Sequence, residues 1–556
     1  MSLSINLRKK VHRKIWETLF TPLPTNMAAG CGFAKDRLNL GDGNQCYFFV
    51  GVSAIYQFAA AEEGFGQLPN SGSAGTFGAG AAGFHHPGGP TGTASAGTTT
   101  SLTTTLTLPR DLRGYRIRVT GGTNAGQERI IALNTLGANS IITVQDAFGA
   151  ACDNTSVYAI YSGRLWFYVP GATSGFNYYD FATNAWTARS VASGPAITAN
   201  EGCLIGTPSQ DCITDYGSAS AGAATTLTDA SRAWTVNQWS NTLVKIISGT
   251  GAGQYRIVTS NTASILTVNA AWTTNPDATS VYEVGSFSAG IASAGAAATI
   301  TNGTSGAATW ATNMWATYQV RIVSGTGVGQ VRTIASNTGS VLTVSASWTV
   351  NPDNTSYFVI EGNDDNLYFL GGAAVTLFKY SISGNSWSTL SPGVARGAAA
   401  NTGASGGVIN ACRDQAWYAQ TGPANATTPR QNGRYIYSFR GGATGTLDVY
   451  DIAGNTWINA LAYGGASTET FTTGSNYDDL EGFIYAQKDA TGRFFRFDVA
   501  KNELIPIGTN TVVQSTAIAG ARLYIDRYFD SSNGKALKFI YWSANSTSAI
   551  SRLLEI

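Results

Sequence analysis

The chain is poor in charge and in the residues on which most metal centres rely. Only 12% of its 556 residues are charged, three are histidine, and the formal net charge is +1. A charge so close to zero gives the bulk of the protein no electrostatic basis for binding nucleic acid or a membrane surface. The six cysteines show no CxxC or comparable spacing, which argues against a zinc centre. We expect buried free thiols, with a Cys203–Cys212 disulfide as the one candidate exception.

Long apolar runs are also missing. The first ten residues contain no apolar stretch of signal-peptide length, and no later run is long enough to span a bilayer. These absences predict a protein without a membrane span that is made and assembled in a cytoplasm.

Glycine and aromatic residues, in contrast, are abundant. The chain contains 65 Gly, 13 Trp and 25 Tyr, together with many Ser, Thr and Asn. Glycine and small polar residues are typical of turns, and the aromatic side chains supply enough apolar volume for several cores. The composition therefore predicts a folded, turn-rich, all-β protein.

One sequence unit occurs three times. Its two closest copies carry Gly-x-Gly-x-Gly-Gln-x-Arg from Gly249 and from Gly325, each followed by Leu-Thr-Val, a Trp and Pro-Asp-x-Thr-Ser, at an offset of 76 residues. A diverged copy contains Gly126 and is three residues longer in the turn after Asn134. Each unit has roughly 70 residues of alternating strands, enough for a small sandwich or barrel.

Three residue types recur within this unit. Gln and the Arg two positions later fall on the same face of a strand, and we expect the late Asp to pair with that Arg structurally. The sets are Gln127, Arg129 and Asp153; Gln254, Arg256 and Asp277; Gln330, Arg332 and Asp353. The glycine-rich stretch lacks the Lys-Ser/Thr end of a phosphate-binding loop, so it predicts a hairpin turn.

A second repeat surrounds these units. A strand leads to a Gly-Gly turn, a Tyr stands nine residues after the first Gly, and a Trp follows seven residues later. The members are Gly371, Gly372, Tyr380 and Trp387; Gly441, Gly442, Tyr450 and Trp457; and, with Pro170-Gly171 as the turn, Tyr179 and Trp186. This pattern resembles the kelch repeat, the four-stranded blade of one family of β-propellers. Degenerate versions near both ends of the sequence bring the expected number of blades to about six.

We therefore predict an all-β fold: an approximately six-bladed kelch-like β-propeller with three inserted small β-sandwich or barrel modules and a short N-terminal helix. The first insert precedes the strand at Leu165 and the other two precede the strand at Leu367, which are corresponding strands of a blade. We expect all three modules to project from one face. The predicted segments are 1–40 (helix and linker), 41–90 (propeller start), 91–161 (first module), 162–216 (propeller), 217–285 (second module), 286–361 (third module) and 362–556 (remaining propeller).

The N-terminal segment carries the clearest signal for a partner. Apolar residues recur every four positions and basic residues lie between them, which predicts an amphipathic helix of about three turns. The residues expected to dock are Leu7, Lys9, Val11, Arg13, Ile15, Trp16 and Leu19. A helix this short must bury its apolar stripe, either on its own propeller or on a neighbouring subunit.

The residues that propeller enzymes require are scarce. A copper oxidase similar to galactose oxidase needs two His ligands and Tyr ligands, but the chain has only His12 and the adjacent, turn-flanked His85 and His86. A sialidase-like propeller needs repeated Asp-box turns, which the sequence does not contain. Two adjacent carboxylate pairs are expected in solvated loops: Asp364-Asp365 and Asp478-Asp479. We predict no catalytic residue, no cofactor, no metal ligand and no enzymatic activity.

The three units are similar to small β-modules found in structural proteins of tailed bacteriophages. This resemblance implies a virion protein at the tail or neck, a nozzle-like component that docks through its helix and oligomerises through propeller and modules. Its expected partners are other copies of itself and neighbouring portal, adaptor or tail proteins, without recognition of a nucleic-acid sequence. The alternatives are a capsid decoration or fibre protein, and an adhesin whose aromatic residues stack on host-surface glycans: Trp234, Trp239, Trp310 and Trp315.

Overall fold

The computed structural model describes the three inserts and most strands of the surrounding repeat. The described residues are 16–18, 32–35, 45–50, 54–59, 64–68, 82–169, 175–195, 202–207, 209, 213–303, 310–371, 375–397, 408–410, 435–439, 445–466, 469, 476–480, 483–487, 493–499, 501–509, 522–530, 535–543 and 550–555. Within these ranges the protein is all-β, and no α-helix is found.

The strands follow one another in alternating groups of surrounding repeat and insert. The first group is β1 (Trp16–Thr18), β2 (Gly32–Lys35), β3 (Gln45–Val50), β4 (Ala54–Ala59), β5 (Gly64–Gln67) and β6 (Ala82–His86). The first insert, module 1, comprises β7 (Thr91–Thr93), β8 (Ala96–Gly97), β9 (Ser101–Thr103), β10 (Arg116–Gly121), β11 (Glu128–Asn134), β12 (Ile141–Val144) and β13 (Val157–Tyr161). The surrounding repeat resumes with β14 (Arg164–Val169), β15 (Gly175–Asp180), β16 (Ala185–Arg189) and β17 (Gly202–Thr207).

Two further inserts follow in tandem. Module 2 comprises β18 (Ile213–Ser218), β19 (Ala221–Ala223), β20 (Thr226–Thr228), β21 (Leu243–Ser248), β22 (Tyr255–Asn261), β23 (Ile265–Val268) and β24 (Val281–Gly285). Module 3 comprises β25 (Ser288–Ala296), β26 (Thr299–Asn302), β27 (Gln319–Ser324), β28 (Val331–Asn337), β29 (Val341–Val344) and β30 (Tyr357–Glu361).

The remaining strands complete the surrounding repeat. They are β31 (Asn363–Gly371), β32 (Leu377–Ser381), β33 (Ser386–Thr389), β34 (Val408–Asn410), β35 (Tyr435–Phe439), β36 (Thr446–Asp451), β37 (Thr456–Ala462), β38 (Gly464–Gly465), β39 (Asn476–Leu480), β40 (Phe483–Gln487), β41 (Arg493–Asp498), β42 (Glu503–Thr509), β43 (Arg522–Asp530), β44 (Lys535–Ser543) and β45 (Ile550–Glu555).

The surrounding repeat has a propeller-like arrangement. Its strands form meander sheets of four or five strands, with the orders β2-β3-β4-β5, β6-β14-β15-β16, β17-β31-β32-β33, β34-β35-β36-β37, β39-β40-β41-β42-β38 and β43-β44-β45-β1. The first strands of these sheets contact one another in sequence: β2 with β6, β6 with β17, β17 with β34, β34 with β39, β39 with β43, and β43 with β2. The sheets therefore stand around a common centre, as blades do.

The predicted N-terminal helix is not confirmed. Trp16 lies in strand β1, opposite Leu553 of β45, so residues near both ends of the sequence share one sheet. A short helix is marginal on its own, whereas the free edge of β45 offers backbone hydrogen-bond partners. The other residues predicted to dock lie outside the described residues: Leu7, Lys9, Val11, Arg13, Ile15 and Leu19.

The predicted Tyr and Trp positions of the blades are cross-strand pairs, buried except for the partly buried Trp186. Tyr179 faces Trp186, Tyr380 faces Trp387, and Tyr450 faces Trp457, with ring centroids 5.1, 5.0 and 5.2 Å apart. Phe497 and Leu504 occupy the same register in a diverged copy. Of the predicted glycines, Gly371 ends β31, whereas four lie outside the described residues: Gly171, Gly372, Gly441 and Gly442.

Asparagines in three of the hairpins, Asn385, Asn455 and Asn502, fasten one sheet to the segment that precedes it. Asn455 has a left-handed φ of 46°, accepts a hydrogen bond from the Tyr450 hydroxyl at 2.7 Å, and donates one to the Ser391 carbonyl at 3.0 Å. Asn502 makes the corresponding bond to the Ala462 carbonyl at 2.8 Å, from a φ of 53°. Asn and Gly tolerate this backbone region, which explains the polar turn before each Trp.

Replacing this asparagine separates its two roles. We expect Asn455→Ala to lower the free energy of unfolding by roughly 2 kcal/mol, because both hydrogen bonds are lost and a left-handed residue becomes strained. Asn455→Gly loses the same hydrogen bonds without the backbone strain, so it should lower the free energy of unfolding by less. Denaturant unfolding of the two variants measures the difference, and equal losses would show that backbone strain plays no part.

The three inserts are versions of one small barrel. Module 3 closes in the order β25-β26-β29-β28-β27-β30, and modules 1 and 2 repeat this order with the first strand divided into β7 and β8, or β18 and β19. Each has its own buried core. The four indoles of the adhesin hypothesis are at most 8% exposed and pack in these cores, so they offer no platform for a glycan: Trp234, Trp239, Trp310 and Trp315.

The glycine-rich stretch is a hairpin turn, as predicted. In module 2 its first, third and fifth residues, Gly249, Gly251 and Gly253, have φ of 77°, 82° and 85°, a backbone region that glycine enters without a steric penalty. Another left-handed position, before the strand that leads into this turn, is shared by all modules. It is Gly114 in module 1, Asn241 in module 2 and Thr317 in module 3, at φ of 86°, 59° and 73°.

The β-branched residue at this last position is expected to be strained. We predict that Thr317→Gly raises the free energy of unfolding by about 1 kcal/mol, because relief of the strain exceeds the entropic cost of glycine. The control is Thr312→Gly, an exposed turn position without a positive φ, which should lose stability. Calorimetric unfolding of both variants provides the test, and a loss in both would contradict the strain.

Candidate functional site

The inserts leave corresponding positions of two adjacent sheets. Module 1 lies between β6 and β14, and modules 2 and 3 lie between β17 and β31; in each case the two flanking strands pair with each other. Because β6 and β17 are in contact, the three modules come together beside these sheets.

Basic side chains from all three modules meet at this point. Arg118 of β10, Lys245 of β21 and Arg321 of β27 occupy the same position of the repeated unit, and each side chain is at most 12% exposed. Together with three glutamates they line a cavity of about 30 Å³. Three like charges buried at one place require counter-charges, because desolvation removes the screening that water provides.

The glutamates supply this compensation from three different positions of the unit. Glu128 of module 1 accepts from Arg118 at 2.8 Å and pairs with Lys245 of module 2 at 2.9 Å. Glu361 of module 3 binds Arg321 through both carboxylate oxygens, at 2.5 and 3.0 Å. We call this group the module junction: Arg116, Arg118, Glu128, Lys245, Glu283, Arg321 and Glu361.

A fourth cation adds a second link between modules 1 and 2. Arg116 Nη1 lies 2.5 Å from Glu283 Oε2, a close and buried ion pair. Two ion pairs therefore join module 1 to module 2. Module 1 supplies the cation of the first, Arg116 with Glu283, and the anion of the second, Glu128 with Lys245.

Burial and ion pairing act against each other on the protonation of these groups. Burial alone would raise the pKa of Glu128, but Lys245, Arg118 and Arg116 hold that pKa well below its ordinary range. The pKa of Glu361 is likewise lowered by Arg321 against the effect of burial. For Lys245, burial outweighs its glutamate partners and lowers the pKa. Both glutamates are therefore charged at neutral pH.

The last glycine of each turn makes the contact between modules. A Cβ atom on Gly253 would lie 2.6 Å from the Arg129 guanidinium of module 1, and one on Gly126 would lie 2.4 Å from Val328 of module 3. A Cβ on Gly329 would meet the Thr120 carbonyl of module 1 at 2.6 Å. The turn motif therefore serves both the hairpin and the approach of its neighbour.

The predicted Arg–Asp pairs within the units are wrong. Asp153 accepts from Thr155 and Thr123, which lower its pKa to about 2, and the other modules repeat this arrangement. Arg129 donates to the Ala147 carbonyl at 3.0 Å and lies 5.3 Å from the ring of Phe148. Arg256 and Arg332 stack in the same way on Trp272 and Trp348. In each unit the Asp carboxylate is hydrogen-bonded by threonine hydroxyl groups and not by the Arg guanidinium. The guanidinium instead donates to loop carbonyls and lies over an aromatic ring.

The histidine pair and both carboxylate pairs differ from expectation in their surroundings, since Asp478 and Asp479 lie in strand β39 and not in a loop. His85 and His86 end strand β6 and are buried, and burial together with Arg164 lowers the pKa of His86 to about 3. Asp364 is not in a solvated loop: it accepts from the backbone and hydroxyl of Ser209 at 2.6 and 2.8 Å, and burial raises its pKa. Asp365 likewise binds Ser381.

Three further observations concern metals, thiols and membranes. Within the described part of the chain, no group of three or more His, Cys, Asp or Glu is placed to hold a metal. Cys152 is a buried free thiol, and Cys212 of the candidate disulfide lies outside the described residues. None of the described segments is a helix able to cross a bilayer.

Sequence analysis missed the module junction, although a signal was present. When the three units are aligned on Gly-Gln, Arg118, Lys245 and Arg321 fall in one column. The residues two positions earlier differ in type: Arg116, Leu243 and Gln319. The glutamates fall in three different columns, so they gave no repeat pattern that would have paired them with the cations.

Comparison with known proteins gives no assignment. No family model matches the chain, and no curated protein matches it. Among solved structures, YCF48 bound to D1 peptide is 8% identical with a TM-score of 0.27, covering 98% of this chain and 99% of its own. The phage phi92 endosialidase is 10% identical with a TM-score of 0.20, covering 85% and 72%. NanB plus Optactamide is 10% identical with a TM-score of 0.22, covering 96% and 84%.

The contact made by the last turn glycine can be tested against backbone strain alone. Gly126 and Gly114 have similar φ, 84° and 86°, but a Cβ on Gly114 meets nothing within 4 Å. We expect Gly114→Ala to cost about 1 kcal/mol of unfolding free energy and Gly126→Ala about 3 kcal/mol or more, because the methyl group also collides with Val328. Equal costs in chemical denaturation would show that module packing tolerates the methyl group.

Proposed function

We propose that the protein is a non-enzymatic structural protein of a tailed bacteriophage virion, a nozzle-like component of the tail or neck. In this proposal a six-bladed kelch-like propeller is the body of the subunit, and modules 1, 2 and 3 form a preassembled head. The order in which the first strands contact one another, from β2 through β43 and back to β2, supports the blade count. The resemblance of the modules to small β-modules of phage structural proteins supports the proposal of a virion protein.

The module junction is the observation that carries the structural role. The residues repeated in all modules are used for internal contacts: the glycines for the turn and for module packing, Arg256 and its counterparts for loop carbonyls and aromatic faces, and the central cations for ion pairs. A cavity of about 30 Å³ holds little more than water. This arrangement supports a head that presents a surface and does not support one that transforms a substrate.

The proposed partners are copies of the same chain and a neighbouring portal, adaptor or tail protein. A surface with few charges suits close packing between subunits, where each buried charge needs a partner. The segment before Trp16 carries the basic and apolar residues that would dock. The alternatives of a capsid decoration or fibre protein keep the same architecture and differ in location.

Two truncations separate docking from the stability of the fold. Removing residues 2–13 spares β1 and should reduce a large symmetric oligomer to smaller species without changing the unfolding temperature. Removing residues 2–24 also deletes β1 and should cost about 2 kcal/mol, since two or three backbone hydrogen bonds to β45 disappear. Mass measurement in solution and thermal unfolding provide the two readouts.

The outcomes distinguish the candidate roles. A full-length protein that is a compact monomer and remains one after either truncation would contradict the nozzle proposal. If such a monomer binds glycans, the adhesin is favoured, although with a binding surface other than the four buried indoles. An oligomer that persists without residues 2–13 would locate the assembly contacts in the propeller or the modules.

A further inference from the structure

The contacts between the modules are of two different kinds. Modules 2 and 3 share an apolar cluster, and the Ala289 amide also donates to the Asn241 carbonyl at 2.8 Å. The cluster consists of Leu243 and Ile257 from module 2 with Ala289, Val323 and Val359 from module 3. Burial of such side chains stabilises an interface at all pH values, because none of them titrates.

Module 1 is held differently. Its apolar core cluster contains residues of module 1 and Ala182 of the neighbouring sheet, and none from modules 2 or 3. Its contacts with the other modules include the ion pairs Arg116–Glu283 and Glu128–Lys245, a hydrogen bond between Ser248 and Gln145 at 3.3 Å, one from the Gly249 backbone to Asp146, and the close approaches of turn glycines. We call this set of contacts the module 1 seam.

The energetic balance of such a seam depends on its charges. Burying an ion pair costs almost as much in desolvation as the attraction returns, so the intact pair contributes little. Removing one charge leaves its partner buried and uncompensated, which is strongly unfavourable. The loss can be relieved in two ways: the module unfolds, or the seam opens and water solvates the remaining charge.

Opening costs less than unfolding here. Module 1 has its own seven-stranded sheet and a core of more than ten buried apolar residues, none of which belongs to modules 2 or 3. We propose that the module 1 seam is an electrostatic latch, which holds module 1 against modules 2 and 3 while its carboxylates are charged and releases it, still folded, when one of them is neutralised.

The charged neighbours of each carboxylate fix the direction of the effect. Glu128 faces Arg116 and Arg118 of β10 and Lys245 of β21; Glu283 faces Arg116 and Lys245; Glu361 faces Arg321, Arg118, Glu128 and Asp364. The pKa of Glu128 is lowered in the closed state, so its contribution is complete above the ordinary glutamate range and is lost as the pH falls through the lowered pKa. The pKa of Glu361 is lowered chiefly by Arg321 of its own module, so this pair does not join the modules. Two carboxylates have a pKa raised by burial and act in the opposite direction: Asp146, which lies in the seam, and Asp364, which lies on β31.

Distance measurement on the full-length chain tests the latch. Spin labels attached without cysteine chemistry at Leu136 and Val236, both 64% exposed, report across the module 1 seam. Labels at Val236 and Val350, which is 51% exposed, report across the apolar contact of modules 2 and 3. Each pair should give one narrow distance distribution at neutral pH.

The decisive variant is Glu128→Gln, which keeps the shape and removes the charge. We expect it to shift the closed-to-open ratio of module 1 by roughly 100-fold, so that a longer Leu136–Val236 distance becomes populated while the Val236–Val350 distance stays unchanged. The matched control is Asp229→Asn, which removes a buried ion pair with Arg232 inside module 2 and should leave the Leu136–Val236 distance narrow.

Two results would overturn the latch. An unchanged Leu136–Val236 distance in Glu128→Gln would show that the seam does not depend on this charge. Broadening of both distances, with loss of β-sheet circular dichroism, would show that the charge supports the fold of a module. If Glu128→Gln does not fold, Glu283→Gln decides, because it neutralises the carboxylate of the other ion pair of the seam: it should also lengthen the Leu136–Val236 distance and leave the Val236–Val350 distance unchanged. An unchanged Leu136–Val236 distance in Glu283→Gln would count against the latch.

Discussion

The burial of several positive charges at one place is the constraint on which the rest of the head depends. Arg118, Lys245 and Arg321 stand at the same position of a repeated unit, so any arrangement that brings the units together also brings their cations together. Such a cluster is tolerated only where carboxylates lie within ion-pair distance. Each module contributes one glutamate, and each from a different strand position, so each glutamate reaches a cation in this arrangement of the modules. The glutamates therefore specify which faces of the three barrels meet.

Single glycine and asparagine residues also serve two structural roles at once. The last glycine of each turn is required by its backbone angle, and its missing side chain is also what allows the neighbouring module to approach. In the propeller-like part, Asn455 combines a left-handed backbone with one hydrogen bond to its own hairpin and one to the preceding segment. In both cases a residue chosen for local geometry also carries a contact between larger units, so local and tertiary structure support each other.

Contacts between residues close in the sequence could be predicted from the sequence, whereas contacts between distant residues could not. The Tyr–Trp spacing identified the strands of a blade, and in the structure the two residues are cross-strand partners, as are Phe497 and Leu504 in a diverged copy. Trp16 was assigned to a helix because apolar periodicity cannot reveal that β45 offers a free edge far along the chain. The Arg–Asp pairing failed because two hydroxyls and a loop carbonyl, each close in space, satisfied the two charges separately. The junction stayed hidden because its carboxylates share no repeat position.

The place where the modules are inserted has a consequence for how the chain folds. Strands β6 and β14 are partners in one sheet but are separated by the whole of module 1, and β17 and β31 are separated by two modules. Pairing partners so distant would carry a large loop-closure entropy if the intervening chain were still unstructured. Each barrel, however, begins and ends on neighbouring strands, such as β25 beside β30, so a folded module brings its own two ends together. Modules that fold first would thus turn long-range strand pairing into a short-range event, and the kinetic order would run from the inserts to the sheets that carry them.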